Sequence, residues 1–130
     1  MHRSELYKAI AQRLGIVAQG KSTFALFEDG REKLALLDRI MKAVKRNTGG
    51  DPARDVNYLA QVISTVKRIR AEVASMVFDD PAWEGDPREA KLAAQFENDK
   101  KKWLAKFDSS LLLLDNMGQD AMRRAKKSRK

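Results

Sequence analysis

The feature that most constrains the fold is a long apolar periodicity between Val56 and Val77. Its apolar residues recur mainly at three- and four-residue intervals: Val56, Leu59, Ile63, Val66, Val73 and Val77. Many are β-branched, but the run exceeds twenty residues and strict alternation is absent, so the pattern predicts a helix. Asp51 followed by Pro52 predicts its start, because a carboxylate can accept first-turn amides and proline lacks the N–H that would be unpaired there.

Two segments before this helix show similar spacing. An apolar stripe at four-residue intervals predicts a helix over residues 5–14. A second series covers residues 22–46, but Gly30 interrupts it, and Asp29 with Glu32 resembles a capping box that would start a new helix. This pattern allows either one kinked helix or two short ones.

The C-terminal part of the chain is also predicted to be helical. Asp86 and Pro87 repeat the aspartate–proline start after a loop over residues 79–87. Phe96, Trp103 and Phe107 then share one face, and the same phase continues to Ala121. Residues 87–127 form either one long helix or two helices separated near residues 108–110, where Asp-Ser-Ser could act as a cap.

Together these segments define the predicted fold class. The sequence contains no strand-like alternation, no hairpin dipeptide between extended runs and no internal repeat. Short loops between amphipathic helices favour antiparallel neighbours. We therefore predict an all-α protein, a four- to five-helix bundle of antiparallel helices over residues 1–122 with a basic C-terminal tail over residues 123–130.

Composition removes several classes of function. The chain has no cysteine, and His2 is its only histidine, so thiolate metal sites, disulfides and Ser–His catalysis are not expected. Asp79, Asp80 and Glu84 are interpreted as turn residues rather than metal ligands. We accordingly predict a protein that is not an enzyme and that carries no cofactor and no metal.

Hydropathy and the N-terminal composition bear on localisation. The longest apolar run is the four leucines at 111–114, far below the roughly 20 residues of a membrane-spanning helix. No secretory signal is present, so we expect an intracellular protein, cytoplasmic or associated with the nucleoid or nucleus. The basic, amphipathic N-terminus weakly resembles a mitochondrial presequence, which is the less favoured alternative.

One motif resembles a nucleotide-binding site. Residues 15–23 satisfy the phosphate-binding pattern G-x-x-x-x-G-K-[ST]. That chemistry requires a strand before the loop and a parallel sheet, whereas here a helix is predicted before it. We therefore interpret Gly15 as a helix C-cap and Ser22 as an N-cap, and leave open a weaker anion-binding role for Lys21.

Charge carries most of the functional signal. The net charge is +8, but residues 123–130 alone contain six basic residues and no acid. Residues 31–70 are mainly basic and residues 72–99 mainly acidic. If the helices on either side of residues 47–51 are antiparallel, their basic residues could form a strip roughly 20 Å long that suits a phosphate backbone.

The predicted nucleic-acid-binding residues come from that strip and from the tail. They are Arg39, Lys42, Lys45, Arg46, Lys67, Arg70, Arg123, Arg124, Lys126, Lys127, Arg129 and Lys130. The three lysines at 100–102 must splay around a helix, so they are not included. Trp83 and Tyr58 are the only aromatic residues expected at the surface, which favours backbone contact over base readout.

Two functions are consistent with this pattern. The first is a small non-enzymatic helical subunit of a nucleoprotein assembly that contacts RNA or DNA through phosphates. The second is a helical adaptor whose main partner is protein, with the acidic region 72–99 docking a basic surface and Trp83 as an anchor. Self-association is a further expectation, because the helix after Pro52 is apolar around much of its circumference.

Overall fold

The computed structural model describes residues 23–78 and 85–128, and these residues form three helices and no strand. Helix α1 spans Thr23–Asn47, α2 spans Pro52–Ala74 and α3 spans Glu89–Ser128. The predicted all-α class is confirmed. The helix predicted over residues 5–14 and the phosphate-binding pattern that ends at Thr23 fall mostly outside the described residues, as do residues 79–84.

The predicted number of four to five helices is wrong for the described part of the chain, which forms three. Both segments that the sequence allowed to be divided are single helices. Gly30 lies inside α1, where Asp29 pairs with Lys33 at 3.5 Å instead of starting a new helix. Residues 108–110 lie inside α3, because buried Phe107 and Leu114 keep one apolar face continuous across them.

Helices α1 and α2 are antiparallel. Lys33 Nζ of α1 lies 3.2 Å from a carboxylate oxygen of Glu72 near the end of α2. At the opposite end, the side-chain amide of Asn47 donates to the hydroxyl of Tyr58 at 3.5 Å. The two contacts define one register along the whole pair, as expected for helices joined by a short turn.

Helices α2 and α3 are also antiparallel, and they share the largest helix–helix interface. Arg70 Nε donates to Asp108 Oδ1 at 2.6 Å, and Lys100 Nζ donates to the Met76 carbonyl at 2.8 Å. Because α1 and α3 are each antiparallel to α2, they run in the same direction.

The core lies along the line where the three helices meet. Its residues recur at intervals of mostly seven residues, which is typical of helices packed at small crossing angles. They include Leu37 and Val44 of α1, Leu59, Val66 and Val73 of α2, and Phe96, Trp103, Phe107, Leu114 and Ala121 of α3. The aromatic residues of α3 that were predicted to face the core are therefore buried.

The turn between α1 and α2 is held by two carboxylates. Asp51 caps α2 by accepting from the amide of Ala53 at 3.1 Å, as the aspartate–proline pattern predicted. Asp55 is only 3% exposed and accepts from the amide of Gly49 at 2.9 Å. Gly49 has φ 106°, a conformation that favours glycine. These bonds fix how the end of α1 and the start of α2 face each other.

Helix α3 continues through the predicted boundary between residues 122 and 123 and ends at Ser128. Its last turns lie beside the start of α2, where Ala53 and Val56 line one shallow pocket with Met122 and Lys126. The basic residues that follow Met122 are therefore presented on a helix at the end of the bundle.

Candidate nucleic-acid interface

The predicted basic strip along α1 and α2 is interrupted by acidic partners. Lys42 lies 3.1 Å from Asp38, one turn earlier on α1. Arg70 makes two bonds to Asp108 of α3, at 2.6 Å and 3.3 Å. These pairs reduce the local positive charge that a phosphate would meet.

The pair of Arg70 and Asp108 also shifts both titrations. The hydrogen bond between them raises the pKa of the Arg70 guanidinium and lowers the pKa of the Asp108 carboxyl. Both charges are thus favoured in the folded state. Arg39 and Lys67 are exposed, and each lies one helical turn from a residue that has an acidic partner, Lys42 and Arg70 respectively.

A denser group of cations lies where the α1–α2 turn meets the last turns of α3. We call it the basic end, and it consists of Lys45, Arg46, Arg54, Arg123, Arg124, Lys126 and Lys127, all of which are exposed. Arg46 and Arg54 line one pocket beside the turn. Lys126 lines a second pocket with the first residues of α2. Six of these seven residues were predicted from the sequence.

Three carboxylates accompany the basic end, and each has a local role. Asp51 and Asp55 accept backbone amides in the turn. Asp120 lies 3.1 Å from Arg124 and 3.7 Å from Arg123. The cations therefore outnumber the carboxylates, and those at the surface can meet a polyanion.

Helix electrostatics explain part of this arrangement. Lys45, Arg46, Lys126 and Lys127 occupy the last turns of α1 and α3, where a cation stabilises a helix by about 0.3–1 kcal/mol. Arg54 differs, because it lies in the first turn of α2, where the helix dipole disfavours a positive charge. Its position is not explained by helix stability.

Sequence reasoning missed Arg54. The predicted residues of α2 were Lys67 and Arg70, which lie in its second half. The signal that could have identified Arg54 was the short turn, since antiparallel helices bring the end of one helix next to the start of the following one. Arg129 and Lys130 lie outside the described residues.

A second surface feature is an open apolar groove of about 670 Å³ between α1 and α3. Leu34, Leu37 and Met41 line one side, and Ala105 and Leu113 line the other. Leu112 and Leu113 are 63% and 48% exposed. This groove is an apolar surface of the kind that contacts proteins rather than phosphates.

The described residues contain no group of three or more histidine, cysteine, aspartate or glutamate side chains placed to hold a metal ion. Within those same residues, no helix is both long and apolar enough to cross a membrane. His2, Lys21, Trp83 and the acidic residues of the 79–84 loop lie outside the described ranges.

Comparisons of the chain with models of protein families, with curated proteins and with solved structures found no match.

Proposed function

We propose that this chain is a small non-enzymatic helical subunit of a nucleoprotein assembly, and that its basic end contacts the phosphate backbone of RNA or DNA. The observation that carries the proposal is the convergence of seven exposed cations from three helices on one end of the bundle. Each cation that meets a phosphate releases condensed counterions, so such a cluster gives salt-dependent affinity.

The position of Arg54 supports the same proposal. The helix dipole disfavours a cation in the first turn of α2. A phosphate bound there would interact favourably with both the helix N-terminus and the Arg54 guanidinium. Guanidinium groups are also suited to phosphate, because they can donate two parallel hydrogen bonds. Phosphate contact thus accounts for a residue that helix stability leaves unexplained.

The test is an anisotropy titration of a labelled oligonucleotide over a range of salt concentrations. The test variant replaces Lys45, Lys126 and Lys127 with glutamine, and the control variant replaces Lys91, Lys101 and Lys102 with glutamine. All six lysines are exposed, and the two variants have the same net charge. They differ only in where the charge is removed.

We expect the test variant to bind more weakly and its log–log salt slope to become shallower by about 2, since each lost contact to a single strand removes about 0.7. The control variant should retain the wild-type slope. A flat salt response of the wild type, or equal losses in both variants, would reject the proposal.

The alternative is a helical adaptor whose main partner is protein. The open α1–α3 groove and the exposed Leu112 and Leu113 favour it. If the chain is such an adaptor, the wild-type protein should show no affinity for RNA or DNA in the same titration at physiological salt. One experiment therefore separates the two functions.

A further inference from the structure

The turn that joins α1 to α2 forms a pocket of about 390 Å³ within the basic end. Arg46 and Asn47 at the end of α1 form one wall, and Arg54 and Tyr58 in the first two turns of α2 form the other. We call this the turn pocket. It combines two guanidinium groups, a side-chain amide and an aromatic ring.

The four charged side chains of the turn pocket differ in the bonds that they already form. Asp51 and Asp55 also line it, but each already accepts a backbone amide, of Ala53 and of Gly49 respectively. Asp55 is also almost fully buried. Neither Arg46 nor Arg54 forms an ion pair with another described residue. The two guanidinium groups are therefore the cationic groups of the pocket, and both are without an ion-pair partner among the described residues.

Tyr58 gives the pocket a component that a phosphate site alone does not need. The residue is half-buried, and together with Ile40 and Val62 it also lines a second pocket between α1 and α2. Its hydroxyl accepts from the Asn47 side chain at only 3.5 Å, which is a weak contact. An aromatic ring beside guanidinium groups is the arrangement on which unpaired bases stack in complexes with single strands.

We propose that the turn pocket binds one unpaired nucleotide of a strand, with its base against Tyr58 and its phosphates on Arg46 and Arg54. The inference rests on the proposed function and adds a class of ligand, because a base held inside a duplex cannot reach such a ring. The chain then binds single-stranded nucleic acid more tightly than duplex.

The test compares a labelled single-stranded 12-mer with a duplex of the same length at one salt concentration. Wild-type protein should bind the single strand about tenfold more tightly, as expected for one stacked base. Tyr58→Leu should remove most of this preference by weakening single-strand binding alone. Tyr58→Phe keeps the ring and should retain the preference.

Arg54→Gln provides a second variant at an exposed position where folding is not at risk, with Lys67→Gln as its distant control. We expect Arg54→Gln to weaken single-strand binding several-fold more than Lys67→Gln. Thermal unfolding of each variant verifies that it is folded.

Three results would overturn the inference. One is equal, salt-dependent binding of single strand and duplex, which leaves the proposed function intact. Another is that Tyr58→Leu weakens binding of the single strand and of the duplex by the same factor. The third is a free nucleoside monophosphate that binds as tightly as the 12-mer, which would make the pocket a site for mononucleotides. Absence of binding to any strand would overturn both proposals.

Discussion

Gly30 shows how a single residue sets the distance between two helices. A Cβ atom built on it would lie 2.7 Å from Cε3 of the Trp103 ring, and closer still to two other ring carbons. The ring has little freedom to move away, because it packs edge-on against Phe96 with centroids 6.0 Å apart. Glycine at position 30 is therefore required by packing between α1 and α3.

Gly30→Ala should destabilise the fold, although alanine is by far the better helix former. Overpacking costs roughly 1–3 kcal/mol, and contacts this short belong at the upper end of that range. This outweighs the gain of about 1 kcal/mol in helix propensity. We expect the free energy of unfolding, measured in urea, to fall by about 1–2 kcal/mol.

Gly118→Ala is the matched control, since Gly118 lies inside α3 with no atom within 4 Å of a built Cβ. It should stabilise the protein by about 0.5–1 kcal/mol. Stabilisation by both substitutions would show that Trp103 does not pack on Gly30.

The pair of Arg70 and Asp108 predicts a pH dependence of stability. The hydrogen bond from Arg70 lowers the pKa of Asp108 below its unfolded value of about 4. The stabilisation is therefore fully present above that value and is lost as pH falls through the lower, folded value. Asp108→Asn should be less stable than wild type at pH 7, and the difference should shrink as pH drops below 4.

The measurement is the urea-unfolding midpoint of wild type and of Asp108→Asn, from pH 7 down to the lowest pH at which both proteins fold. The difference between the two midpoints reports the stability difference at each pH. Because the Asp108 side chain is 57% exposed, the effect should be small. In an Arg70→Gln background the same substitution should show a weaker pH dependence. A difference that is constant over the whole pH range would contradict the interaction.

At the scale of elements, α3 is one helix across the three residues that could have divided it. Ser109 lies between the buried residues Phe107 and Leu114, and its amide belongs to the helix interior. A proline there would remove a hydrogen bond and clash with the preceding turn, at a cost of about 3 kcal/mol or more.

Ser109→Pro should therefore lower the unfolding free energy by about 3 kcal/mol and reduce helicity measured by circular dichroism. If Asp108 instead capped a new helix, Ser109 would occupy its first position, where proline is well tolerated. An unchanged melting temperature would thus indicate two helices.

Local signals in the sequence were sufficient for the start of α2 and for the buried face. Asp51 and Pro52 predicted the start of α2, and the periodicity placed Phe96, Trp103 and Phe107 in the core. These features depend on neighbours within a few residues of the chain. A single sequence records them directly.

The continuity of α1 and the distribution of charge could not be predicted in the same way. Gly30 is normally a weak point in a helix, and only the Trp103 ring, 73 positions later, explains why glycine belongs there. Arg70 was predicted to contact phosphate, yet it bonds to Asp108, 38 residues away in the chain. Arg54 was missed because its neighbours at the basic end come from other helices.

At the scale of the whole molecule, the charge balance differs between the two ends of the bundle. The described residues at the end where α2 finishes and α3 begins (25–35, 68–78 and 85–102) carry eight carboxylates and nine cations, so that end is nearly neutral, while the excess positive charge lies at the basic end. Such a distribution orients an approaching polyanion before contact and raises the rate of productive encounters. We therefore expect nucleic acid to bind at the basic end of the bundle.

The most direct test of that claim is a residue-resolved NMR titration of ¹⁵N-labelled protein with a single-stranded oligonucleotide at low salt. We expect the amide signals whose chemical shifts change most to lie in residues 45–58 and 121–128, which together form the basic end. Shifts concentrated in residues 25–35 and 85–100, at the opposite end of the bundle, or no shifts at all, would contradict this expectation.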